Sequence, residues 1–251
     1  MNGAAVMRFR ADYAAHRASE GRAHRGDELR SLPYLASGPL ARQWAVRARS
    51  FEALVGRVIA PMERHVPLDV LDLGAGNGWL SYRLGLRGHR CIAVDIRDDG
   101  IDGLGAADEL RGIVPFECRV ASFDALPLPD EAADLAVFNA SLHYAGDLAA
   151  TLSEARRCVR SGGTLAIVDS PFYSKSADGE AMVRERRRVP GLATLDCIEF
   201  LTRDRLAQAS DLEWTRHRVR YPLWYEMRPL VARLRGARAP SRFDVWSARV
   251  P

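Results

Sequence analysis

The chain has 251 residues, 47% hydrophobic and 27% charged, which excludes a disordered, collagen-like or low-complexity protein. A chain of this size buries a full core without a disulfide or metal staple, and no apolar run approaches the ~20 residues of a membrane span. The formal charge is +4, with 36 basic residues of which only Lys175 is lysine.

Residues 1–60 carry no strand pattern. Met7, Phe9 and Tyr13 are scattered, and Pro33 and Gly38-Pro39 punctuate the stretch. Leu40, Trp44, Phe51, Leu54, Val55, Val58 and Ile59 then recur at near-helical spacing, predicting a helix that ends at Pro61 or Pro67. Residues 1–60 are expected to be an N-terminal helical lid, and 61–251 a single compact unit with it. Past Pro67, short apolar strands alternate with helical stretches: strands at 68–73, 90–94, 115–120, 134–139 and 164–169, helices at 79–87, 105–111 and 147–160, and a turn at Gly162-Gly163. Such alternation implies parallel strands joined by crossover helices. The tail predicts helices at 179–188, at 202–209 with Thr202 as N-cap, and at 224–235. Strands are expected at 213–220 and 242–249.

Cys91, Cys118, Cys158 and Cys197 stand far apart and form no CxxC pair, so reduced thiols are expected and no metal centre. The N-terminus has no apolar signal core, and a cytoplasmic protein without membrane association is expected. Arginine forks suit phosphate, but an alanine-rich, lysine-poor chain reads first as codon composition. Nucleic acid is therefore not the expected partner, and oligomeric state is not legible.

The sharpest local signal is Leu71-Asp72-Leu73-Gly74-Ala75-Gly76-Asn77-Gly78-Trp79. A strand runs into a glycine turn and then a helix, at the strand end where ligands bind in open α/β sheets. A dinucleotide fingerprint requires a third glycine where Trp79 stands, and Asp72 would repel a pyrophosphate. Val94-Asp95 closes the next strand, 19 residues after Gly76. Further on come Phe123-Asp124-Ala125-Leu126-Pro127, a fourth strand ending at Asn139, and Arg160-Ser161-Gly162-Gly163.

In this order and spacing, residues 66–170 resemble the class I S-adenosylmethionine (SAM)-dependent methyltransferases with a quinone/sterol-methyltransferase-like core. Ser161 replaces the family's usual proline. The resemblance implies a Rossmann-like, doubly wound seven-stranded sheet of order 3-2-1-4-5-7-6, the last strand antiparallel. It implies SAM as cofactor and S-adenosylhomocysteine (SAH) as product. The expected cofactor contacts are Arg47 on the lid, Asp72, Gly74, Ala75 and Gly76 in the loop, Asp95 and Ile96 at the ribose, Phe123 and Asp124 at the adenine, and Asn139 at the methionine portion. His143, following the fourth strand, is a candidate general base. Tyr13, Tyr144, Phe172 and Tyr173 are candidates to line the acceptor pocket. The expected activity is methyl transfer to an O, N or C nucleophile of a small molecule, plausibly in specialised metabolism. An RNA methyltransferase and a non-catalytic SAM-binding subunit are the alternatives.

Overall fold

The computed structural model describes residues 23–63, 67–188 and 197–251; Tyr13 lies outside them. Seven strands form one sheet: β1 (Asp69–Leu73), β2 (Arg90–Asp95), β3 (Glu117–Val120), β4 (Ala133–Asn139), β5 (Val159–Val168), β6 (Thr215–His217) and β7 (Val245–Arg249). Their order is β3-β2-β1-β4-β5-β7-β6, as the resemblance implies. Strands β1 to β5 run parallel, and β7 is antiparallel to both β5 and β6. The chain winds outward from β1 to β3, then returns to lay β4 on the other side of β1. The order reverses between β1 and β4, which opens a crevice at their carboxyl ends.

The pleat sends alternate residues to opposite faces, and helices cover both. Val70, Val137 and Ala166 pack with the lead-in helices and the helix after β1. These are α1 (Gly26–Ser31), α2 (Ala41–Leu54) and α3 (Trp79–Gly85). Helix α2 runs on through a π-helical turn (Val55–Ile59) and one last turn, Ala60–Met62. Its Trp44 and Phe51 rings each stand edge-on to Trp79 at 5.8 Å, so the lead-in helix is part of the core. A short helix α4 (Asp108–Arg111) adds Leu110 to the same cluster. On the other face Leu71, Leu73 and Phe138 meet α5 (Leu148–Cys158). After α6 (Ser176–Arg186), α7 (Arg203–Ala209) adds Leu206 to the same cluster. Asp147 caps α5 by accepting from Ala150 N at 3.1 Å, and Thr202 caps α7 by accepting from Arg205 N at 3.1 Å.

Four local expectations are corrected. Gly162-Gly163 lies inside β5, where the register with β4 slips between Ala133 and Leu135. A β-carbon at Gly163 would fall 2.7 Å from Asp134 O, so the glycine lets the strand pass its neighbour. The helix expected over 224–235 is split at Met227 into α8 (Leu223–Glu226) and α9 (Arg228–Leu234). Pro229 lacks an N–H and suits the first turn of a new helix. Strand β6 keeps three of its expected residues because Val219 N donates to the Asp244 carboxylate at 3.0 Å instead of to a ladder. Arg242 pairs its backbone with Phe172, so β7 begins later, at Val245.

Candidate active site

The loop after β1 is fixed by backbone donors. Gly74 N and Ala75 N both donate to Val94 O, at 2.8 and 3.0 Å, and Gly76 N donates to Asp95 Oδ2 at 2.8 Å. Gly74 has φ +78°, and a β-carbon on it would stand 2.2 Å from the β-carbon of Ser141. No other residue type fits there. Asp95 Oδ1 accepts from Arg97 N at 2.8 Å. Burial pushes the Asp95 carboxyl up, and these backbone donors pull it back. Each oxygen still has lone-pair capacity for a ligand hydroxyl.

A cavity of about 350 Å³ opens over this loop at the carboxyl ends of β1, β2 and β4. Gly74, Ala75 and Gly76 form its floor, with Asp95 and Ile96 from the end of β2. Phe123 and Asp124 supply another wall, Phe123 standing edge-on to Phe138 at 5.8 Å. Asn139 enters from the end of β4, and its Oδ1 is buried without a hydrogen-bond partner. Arg47 reaches in from α2, its guanidinium 4.9 Å over the Trp44 ring. The Trp44 indole donates to His24 Nε2 at 3.1 Å.

Asp72 is placed differently from its expected role. It lies behind the loop, fully buried, and does not line the cavity. Its Oδ2 accepts from Ser81 N at 3.1 Å and from Ser81 Oγ at 2.8 Å, which caps the first turn of α3. Burial pushes its pKa up to about 7; the Ser81 donors oppose this, and the nearby Asp95 charge adds to it.

Tyr144 lines the cavity, but His143 does not. The two belong to a single 3₁₀ turn, Leu142–Tyr144, where successive side chains diverge by about a third of a turn. The His143 ring lies 4.1 Å from Tyr144, with Nδ1 3.5 Å from Ser170 Oγ. The expected base is therefore off the described wall. Phe172 and Tyr173 also lie off this wall. Phe172 stacks on Trp246 at 4.8 Å, and Tyr173 stands edge-on to Phe200 at 5.8 Å, both buried in packing away from the cavity.

Sequence reasoning missed His24, Arg97 and Asp102, which also line the cavity. Arg97 is 3% exposed and grips Asp99 Oδ2 with two N–H groups at 2.9 and 2.7 Å. Asp102 accepts from Asn77 Nδ2 at 3.1 Å, tying this segment to the glycine loop. The signal was the acid-rich run 95–102, directly after Asp95.

Residues 71–167 match the family model described as a methyltransferase domain. The malonyl-[acyl-carrier protein] O-methyltransferase of Yersinia pestis is 31% identical over 124 residues, covering 49% of this chain and 42% of that protein. This chain therefore spans about half the length of the curated relatives it matches. Among solved structures, the Burkholderia thailandensis 1,6-didemethyltoxoflavin-N1-methyltransferase, with its substrate and SAH bound, superposes with a TM-score of 0.59 at 20% identity. It covers 98% of this chain and 88% of its own. The geranyl diphosphate C-methyltransferase of Streptomyces coelicolor gives 0.59 at 15% identity, over 86% and 87% of the two chains. Residues 71–167 thus carry a methyltransferase domain, and the fold is that of solved methyltransferases. No helix among the described residues is long and apolar enough to cross a membrane.

Proposed function

We propose that the protein transfers the methyl group of SAM to a small-molecule acceptor in the cytoplasm. The observation that carries this reading is the enclosed cavity: nine of the ten expected cofactor residues border it, Asp72 being the exception. The chain's own groups fit the cofactor. Gly74 leaves a cradle that a β-carbon would fill, and Asn139 Oδ1 is an orphaned acceptor suited to an ammonium group. Asp95 would accept the ribose hydroxyls, Asp124 the adenine amino group, and Arg47 would pair with the cofactor carboxylate. Asp72 acts one layer back, fixing α3 beneath the loop.

When bound, the cofactor supplies a methyl group activated by its sulfonium. The protein's work is then to orient the partners and exclude water, for which fixed geometry can supply roughly 7–11 kcal/mol. Helix α2, carrying Trp44 and Arg47, covers the cavity and excludes bulk water. The solved neighbours bound to 1,6-didemethyltoxoflavin and to geranyl diphosphate support a small acceptor.

The test is a label-partition assay. The protein is incubated with methyl-labelled SAM, a metabolite extract and total RNA, and acid-soluble label is separated from precipitated label. Soluble label is expected. Nuclease-sensitive precipitated label would overturn the small-molecule reading. A thermal shift by SAH and none by NADH is expected in the same preparation.

A further inference from the structure

Beside the cavity stands a buried carboxylate that the cofactor reading does not use. Asp169 is the first residue past β5. It is 6% exposed, and neither carboxylate oxygen has a hydrogen-bond partner. Its backbone is left-handed, φ +53°, as is that of Ala140, φ +54°, the first residue past β4. Ala140 N donates to Val168 O at 2.8 Å, so the two bends are neighbours, and Ala140 lines the cavity. Asp169 does not itself line the cavity; it stands one residue beyond Val168, the backbone partner of the cavity-lining Ala140, at the carboxyl end of the sheet.

Two elements close over the carboxylate. Helix α2 brings Arg47 and Ser50, and the segment after β6 brings Tyr221 and Tyr225. None of them makes an ion pair or a well-formed hydrogen bond with it, although the Arg47 charge and the Ser50 hydroxyl act on it from nearby. Ser50 Oγ is engaged with Val46 O at 3.2 Å and Tyr221 Oη at 2.9 Å, while Tyr221 donates to Phe243 O. Arg47 attracts Asp169 but forms no ion pair with it. The Tyr225 hydroxyl is likewise buried without a partner, the Arg228 guanidinium lying 3.7 Å over its ring. A buried charge without a partner is strongly unfavourable, so this carboxylate favours a cationic or proton-donating group beside it.

We propose that Asp169 and the Tyr225 hydroxyl form the acceptor end of the site and receive an amine, whose nitrogen is the methylated atom. This rests on reading the adjoining cavity as the cofactor site. Charge selects the class. An ammonium neutralises the carboxylate, a neutral alcohol leaves the charge uncompensated, and a carboxylate is repelled. The proton balance is simple. The ammonium gives one N–H proton to a carboxylate oxygen, leaving a neutral carboxylic acid and an amine with a free lone pair; the proton passes to water when product leaves. Burial pushes the Asp169 carboxyl up to about 6, against the pull of Arg47 and Ser50. It is therefore an anion at neutral pH and still basic enough to accept a proton.

The test uses the full chain loaded with SAH and a panel of small amines, each paired with its matching alcohol and carboxylate. Binding is read by thermal shift and calorimetry. SAH is titrated first; failure of SAH to bind would sink the cofactor reading, separately from this proposal. Amines are expected to dominate the hits. Asp169→Asn should weaken them at least tenfold and Tyr225→Phe severalfold, with SAH affinity held within threefold in both. Hits spread evenly over the three classes, no hits, or amine affinity unchanged in Asp169→Asn would overturn the proposal.

Discussion

Gly74 and Ser141 meet so closely that a single added carbon cannot be placed between them: a β-carbon on Gly74 would lie 2.2 Å from the Ser141 β-carbon. Ser141 is itself held, its hydroxyl donating to Leu73 O. The loop after β1 and the turn after β4 are thereby locked across the switch point. Gly74→Ala adds a left-handed alanine, about 1 kcal/mol, and overpacking of about 1–3 kcal/mol. The expected result is a melting temperature lower by several degrees and SAH affinity down at least tenfold. Adding Ser141→Gly removes the opposing carbon, so the double variant should recover part of the loss. Strict additivity of the two changes would show that this contact is not the cause.

Asp95 uses both oxygens to hold the two sides of the cavity floor, Gly76 N on one and Arg97 N on the other. An asparagine has one acceptor oxygen, so Asp95→Asn must turn an NH₂ group toward one of these donors. It also loses the anion that would bind hydroxyls. An unmade buried hydrogen bond costs about 1–3 kcal/mol. Calorimetry should show SAH binding roughly 10- to 100-fold weaker, with the melting temperature lower by a few degrees. SAH affinity within twofold of wild type would place the ribose elsewhere.

The sheet was legible because its signals are local and repeated. Five apolar runs between glycine turns leave few arrangements other than parallel strands. Asp95 and Asn139 were legible because each ends a strand, and Gly74 because it directly follows one, where the crevice must lie. Asp72 ends no strand, and its direction depended on the pleat: adjacent residues face opposite sides, and Ser81 captured it from behind. The His143 and Tyr144 pair failed at the same level, since a turn places one neighbour in the cavity and the other out of it. Asp169 was invisible for a different reason. A carboxylate after a strand is common, and only its burial without partners sets it apart.

Tyr144 and His143 offer a direct test of that placement. Tyr144 borders the cavity, whereas His143 does not and lies 4.1 Å from the Tyr144 ring. Tyr144→Ala removes an aromatic wall and should weaken SAH or acceptor binding at least tenfold. His143→Ala should leave SAH affinity within about threefold and lower turnover only modestly, through a less well supported Tyr144 ring. A pH–rate profile that loses its basic limb in His143→Ala, with SAH binding intact, would restore the histidine as a base.

Asp72 gives a pH prediction with a definite sign. Its carboxyl titrates near 4 when unfolded and at about 7 in the fold. The folded state therefore holds the proton more tightly, and stability falls as pH rises from about 4 to about 7. In Asp72→Asn the side-chain oxygen can still accept from Ser81 N and Oγ, but the buried charge is gone. The variant should exceed wild type in urea unfolding at pH 8, by on the order of 2–4 kcal/mol. The gap should shrink as pH falls and close near pH 4. Asp169, also raised, is common to both proteins and cancels in the difference. A gap that stays constant from pH 4 to pH 8 would mean that Asp72 is not the group titrating. Wild type keeping a higher melting temperature at pH 8 would mean that the ionised carboxylate is satisfied where it lies, and that a cation reaches it from the cofactor side of the loop.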